Sequence, residues 1–162
     1  MNIEDSIDDL LAQYRSEIDK VDNAIVLLLE KRARIAVDIG EVKKLSKVRL
    51  SFIAPDRERA ILDRLRTKLD LFPEPALRII YREIFAAMLG VMLGEDAELW
   101  SVENLSPTAF ALKSGDRILL AVGSDEIERI NTIARLHNES IRSLRSSSRS
   151  SREDASESAP AS

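Results

Sequence analysis

Residues 5–46 contain no proline and a single glycine, Gly40, and their apolar residues recur at steps of three and four. The series runs Ile7, Leu10, Tyr14, Ile18, Val21, Ile25 and Leu28, then Ile35, Ile39 and Val42. That is a heptad-like seam. It predicts one helix over residues 5–46, capped by Asp5 or Ser6 and roughly 60 Å long at ~1.5 Å per residue. Such a rod outruns a small monomer. Its seam needs a partner helix, and a second copy of itself is the simplest candidate.

Composition narrows the chemistry. The 162 residues include no Cys and one His, with a net charge of −4. A disulfide scaffold, a Cys-ligated metal, a thiol nucleophile and a His cluster are excluded. A Ser–His–Asp triad would depend on His137 alone. Gly40 is the one glycine in the first 89 residues, so that part holds no Gly-rich phosphate loop. A mildly acidic chain argues against nucleic acid as a partner. The acidic start, MNIEDSIDDLLAQYR, lacks the layout of a signal peptide. No apolar run approaches the ~18 residues of a membrane span. The expectation is a soluble cytoplasmic protein with no membrane partner.

The linker SKVRLSFIA leads to Pro55, which opens a second predicted helix over 56–69. LFPEP interrupts it. Pro75 then opens a third over 75–93, carrying Leu77, Ile80, Tyr81, Ile84, Phe85, Met88, Leu89 and Met92, with Gly94 as its stop. Beyond residue 96 the pattern changes. AFALKSGDRILLAV turns at Gly115 and predicts a β-hairpin over 109–122. Ser124 or Asp125 caps a last helix with Ile127, Ile130, Ile133, Ile141 and Leu144 on its apolar side. His137 falls on the polar-leaning side, where no catalytic role is expected. Serine and arginine dominate the end of the chain, which reads as disordered. The expected organisation is a helical domain over 1–95, an extension over 96–145 and a disordered tail over 146–162.

Some charges do not fit a plain coiled coil. Arg32 stands between Leu28 and Ile35, where the seam should be apolar. A guanidinium there costs several kcal/mol unless it meets an anion. Arg15 and Lys43 lie beside the seam residues Tyr14 and Val42. Along one rod Arg15 and Arg32 are roughly 25 Å apart, and Arg32 and Lys43 roughly 16 Å. One small ligand could reach Arg15 as well only if Arg15 came from an antiparallel second subunit. The competing reading is that these cations pair with carboxylates on neighbouring helices. Arg57 and Glu58 form a further charged cluster, which also suits an exposed helix start.

In order and spacing, YRSEIDKVDNAIVLLLEKRARIAVDIGEVKK, FIAPDRERAIL and IYREIFAAML resemble the all-helical class of chorismate mutases. The likeness covers about residues 8–92. It implies an all-α fold of three helices per chain, intertwined as a homodimer with two equivalent sites. To that fold the chain adds its C-terminal hairpin and helix extension and its tail. It implies chorismate as substrate, rearranged to prephenate in phenylalanine and tyrosine biosynthesis, with no cofactor and no metal. The reaction is an intramolecular Claisen rearrangement. It needs a flexible dianion held in its folded conformation and charge stabilised on the ether oxygen.

Residue by residue, the resemblance has Arg15 reach a carboxylate across the subunit boundary. Arg32 would bind a carboxylate in its own subunit's site. Lys43 would donate to the ether oxygen, Arg57 would support the pocket and Glu58 would accept the substrate hydroxyl. Three positions depart. Ala54 stands where the family often has an acid. Met88 and Met92 line the pocket where a small polar residue and a Gln or Glu are expected. Met92 cannot donate to the ether oxygen. Two alternatives therefore stay open: a catalytically impaired, mutase-like dimer that binds an anion or only dimerises, and an isochorismate pyruvate-lyase-like enzyme on the same fold.

Overall fold

Helix α1 spans Ile3–Leu45, α2 Pro55–Arg66 and α3 Glu74–Leu93. Strands β1 (Trp100–Ser106), β2 (Ala109–Ser114) and β3 (Arg117–Gly123) follow, then a 3₁₀ turn at Ser124–Glu126 and α4 (Ile127–Glu157). This is a computed structural model, and it describes residues 2–46, 51–94 and 98–157. Among these no helix is long and apolar enough to cross a membrane.

The first three helices end where their sequences dictate. Pro55 sits in the first turn of α2 with Asp56 and Glu58, and Arg64 and Arg66 occupy its last turn, which suits the helix dipole at both ends. Gly94 closes α3 at φ 103°, a left-handed value that favours glycine. Helix α1 starts at Ile3, slightly before the expected caps, and Asn2 makes no side-chain cap.

The all-α expectation needs correction. The described residues are mostly helical and also hold a three-stranded antiparallel sheet in the order β1-β2-β3. The predicted hairpin is β2–β3, turning at Gly115 with φ 56°. Strand β1 lies before the predicted hairpin, where the apolar alternation is weak. It pairs with β2 through a bulge between Asn104 and Ser106, and its first residue is held by α4. The Asn138 side chain accepts from the Trp100 N–H at 2.7 Å and donates to the Trp100 carbonyl at 2.9 Å. The His137 ring stacks on Trp100 at 3.7 Å. His137 therefore has a packing role here.

The tail also departs from expectation. Helix α4 runs to Glu157, and only 158–162 of the predicted disordered segment lie outside the described residues. Residues 124–159 contain neither Gly nor Pro. The hydroxyls of Ser146, Ser147, Ser148 and Ser151 donate to carbonyls one turn back. Each hydroxyl thus finds its partner within the helix.

The extension shares its core with the helices before it. Ala86 and Leu89 of α3 and Ile53 pack with Trp100, Leu112, Ile130 and Ile133 in one buried cluster. By contrast α1 buries only Ala36 and Gly40. Its seam is open: Ile18 and Val21 are each 58% exposed and Leu28 is 65% exposed.

At Gly40 the helices α1 and α3 meet backbone to backbone. A Cβ there would stand 2.5 Å from the Met92 carbonyl oxygen. A Gly→Ala change inside a helix ordinarily stabilises it by about 0.5–1 kcal/mol. Here Gly40→Ala is expected to destabilise by about 1–3 kcal/mol, because the helices must part. Urea unfolding measures this, and a gain in stability would show that they do not touch.

Candidate active site

The contact at Gly40 orders the residues around it. Arg32 lies about two turns before it on α1 and holds its guanidinium 5.8 Å from the Phe85 ring centroid on α3. Phe85 is braced edge-on by Tyr81. Met88 and Met92 follow Phe85 at helical steps, so the three share one side of α3. Met88 is 7% exposed, whereas Met92 is partly buried against the shared core.

Lys43 stands on the same face of α1 as Arg32, since eleven residues make about three turns. Its Nζ donates to the Ser51 carbonyl at 2.7 Å and lies 5.5 Å from the Phe52 ring centroid. The loop before α2 thus holds the ammonium in place with neutral groups. Glu58, on the first turn of α2, is half-buried and paired with Arg129 of α4. Arg57 and Ala54 are exposed.

Arg32 and Lys43 are therefore set along the contact of α1 with α3 and the loop before α2, with Phe85, Met88 and Met92 on the α3 side. Arg15 is not brought to them. It lies on the free half of α1 and is exposed. Among the described residues none of Arg15, Arg32 and Lys43 forms an ion pair. The carboxylate-paired alternative is not what the structure holds. Unmatched cations beside apolar side chains are suited to an anion brought from outside.

A groove of about 830 Å³ opens between α1, α3 and α4, lined by residues such as Val37, Ala87, Gly90, Val91 and Leu144. It contains no cation and does not suit a dianion. Among the described residues no three His, Cys, Asp or Glu side chains converge as a metal site requires.

Phe52, Phe85 and Arg129 were missed by sequence reasoning. Phe85 reads as an ordinary apolar residue of the third helix, and Phe52 as part of the linker.

Residues 14–92 match the family described as chorismate mutase type II. That segment is similar to chorismate mutase type II domains. The chain is 43% identical over 86 residues to a bifunctional chorismate mutase/prephenate dehydratase of Aquifex aeolicus, covering 50% of this chain and 23% of that relative. A protein of Neisseria gonorrhoeae with the same description is 36% identical over 90 residues, covering 53% of this chain and 23% of the relative. A chorismate mutase of Methanocaldococcus jannaschii is 38% identical over 56 residues, 35% of this chain and 54% of that relative. The chain thus spans about a quarter of the two bifunctional relatives and about half of the third. No solved structure shows a significant match.

Among the described residues Arg32 has no carboxylate partner, and its cation–π contact with Phe85 is worth about 0.5–1 kcal/mol. Arg32→Leu is expected to raise stability by about 1 kcal/mol, because a leucine restores the apolar seam. Thermal unfolding without added anion checks this. A clear loss would mean that Arg32 has a structural partner.

Proposed function

We propose that this chain is a chorismate mutase, rearranging chorismate to prephenate within a homodimer. The carrying observation is the pair Arg32 and Lys43, both on one face of α1, both without a carboxylate partner, inside a segment that matches the mutase family. If the fold served dimerisation alone, a leucine at position 32 would relieve the seam. The retained cation fits a bound anion.

On this reading the open seam of α1 packs against α1 of a second subunit, which brings that subunit's Arg15 toward Arg32 and Lys43. Arg15 and Arg32 grip the two carboxylates, and Lys43 donates to the ether oxygen as the C–O bond breaks. Lys43 would exchange the Ser51 carbonyl for the substrate. Arg57 supports the pocket, and Glu58 accepts the substrate hydroxyl. Met88 and Met92 supply apolar walls that favour the folded conformer. No cofactor takes part, and a chain without cysteine suits the cytoplasm.

Met92 favours a second reading, in which the dimer binds the anion without turning it over. The lysine lacks the second donor that the resemblance leads one to expect at this position. Loss of one such donor typically costs ~10²–10³ in rate.

Mixing purified chain with chorismate and following its absorbance decides between them. We expect prephenate formation, a mass in sedimentation of twice the chain, and a loss of about 10²–10³ in kcat for Lys43→Ala. Absence of turnover with anion binding retained supports the second reading. Release of pyruvate from isochorismate instead would indicate a lyase.

Met92→Gln is expected to raise kcat severalfold. It should also lower stability by about 1 kcal/mol, since it sets an amide against the shared core. An unchanged or lower kcat would remove Met92 from the site.

A further inference from the structure

The extension meets the charged residues of the site at the ion pair of Arg129 with Glu58. Arg129 of α4 directs both terminal guanidinium nitrogens at the two carboxylate oxygens of Glu58, with Nη2 to Oε2 at 2.5 Å. The side chains are only 18% and 19% exposed. The remaining nitrogen, Nε, lies 3.5 Å from Glu126 Oε2. A fork on a carboxylate sets the plane and direction of both groups. Its hydrogen bonds to the Glu58 carboxylate, with the charges of Glu58 and Glu126, raise the Arg129 pKa above its ordinary value despite burial. The guanidinium therefore stays charged.

Arg129 is itself well anchored. Its neighbour Ile130 is fully buried, and Ile133, one turn on, is 1% exposed. Helix α4 cannot withdraw Arg129 without uncovering the shared core. Glu58, in contrast, sits in the first turn of a helix with no buried residue. Left alone, its three side-chain torsions would have to be ordered on each binding event.

We propose that Arg129 is a positioning residue for Glu58, holding that carboxylate in one orientation to accept the substrate hydroxyl. This rests on the mutase reading above. A two-pronged pair uses one lone pair of each oxygen and leaves the other free. Glu58 also keeps some exposure, so a hydroxyl donor can still approach it. The site then extends beyond the matched residues 14–92, and α4 serves it through this side chain.

Steady-state kinetics on the full chain test this, with Arg129→Met, Arg129→Lys, Glu58→Ala and Glu58→Ala combined with Arg129→Met. Methionine keeps the apolar stem, and the fluorescence of Trp100, the chain's one tryptophan, reports that the extension stays docked. Arg129→Met is expected to lower kcat/KM about tenfold, as a misplaced contact group does, and Arg129→Lys to recover part of it. In the Glu58→Ala background, Arg129→Met should have no further effect. Equal losses in both backgrounds would make Arg129 merely structural. No loss, or a gain, in Arg129→Met would likewise overturn the proposal, a gain meaning that Arg129 masks Glu58. If Arg129→Met fails to fold, Arg129→Lys decides through the same cycle. A wild type without turnover sinks the mutase reading and this proposal together. An active wild type with an unaffected Arg129→Met sinks this proposal alone.

Discussion

Gly40 has no side chain, and the Met92 carbonyl stands where one would begin. Little else on α1 is buried, so this approach fixes the long helix against the rest of the chain. Its consequences run both ways along α1. Upstream it sets Arg32 above Phe85. Downstream it brings Lys43 to the Ser51 carbonyl and the Phe52 ring. A larger residue at position 40 would push the helices apart and shift both cations. Catalysis by fixed charges tolerates little such shift, because a misplacement of about 1 Å can cost 10²-fold in rate.

The helical part was legible because its signals are local. A seam of steps three and four, Pro55 and Pro75 at helix starts and Gly94 at a helix end each act within a turn or two. The hairpin was legible for the same reason, through Gly115. Strand β1 was not, since what makes it a strand is its register with β2 and the grip of Asn138 on Trp100, 38 residues away. The end of α4 misled in the opposite direction. Composition rich in serine signals disorder on average, but these hydroxyls bond back to their own helix. For the site, spacing carried Arg32 and Lys43 onto one face. The pairing of Glu58 was illegible, because Arg129 lies 71 residues away and no periodicity links the two.

The extension reads differently once its core is considered. A separate module would bury its own apolar residues and touch the helices at a polar surface. Here Leu112, Ile130 and Ile133 share one cluster with Ala86, Leu89 and Ile53. Ile53 belongs to the loop that also holds Lys43 through Ser51. Packing of the sheet and α4 therefore braces the segment on which the lysine rests. The extension can influence the site through that loop as well as through Arg129.

Two features of α1 remain to be satisfied together. Its seam leaves large aliphatic side chains half or more exposed, and Arg32 interrupts that seam without a carboxylate partner. Covering the seam with an apolar helix alone would gain burial energy but would seal a guanidinium away from water, at a cost of several kcal/mol. An anion alone would meet Arg32 while leaving the aliphatic face in water. Under the proposed dimer each event removes the other's cost. The second helix shields the bound anion from solvent and contributes Arg15, and the anion neutralises the charge that the helix buries. Dimer stability and anion affinity are then linked, because a ligand that binds only the paired state stabilises it. Arg32 stands at the point of coupling, which accounts for a cation in a seam that would be more stable without one.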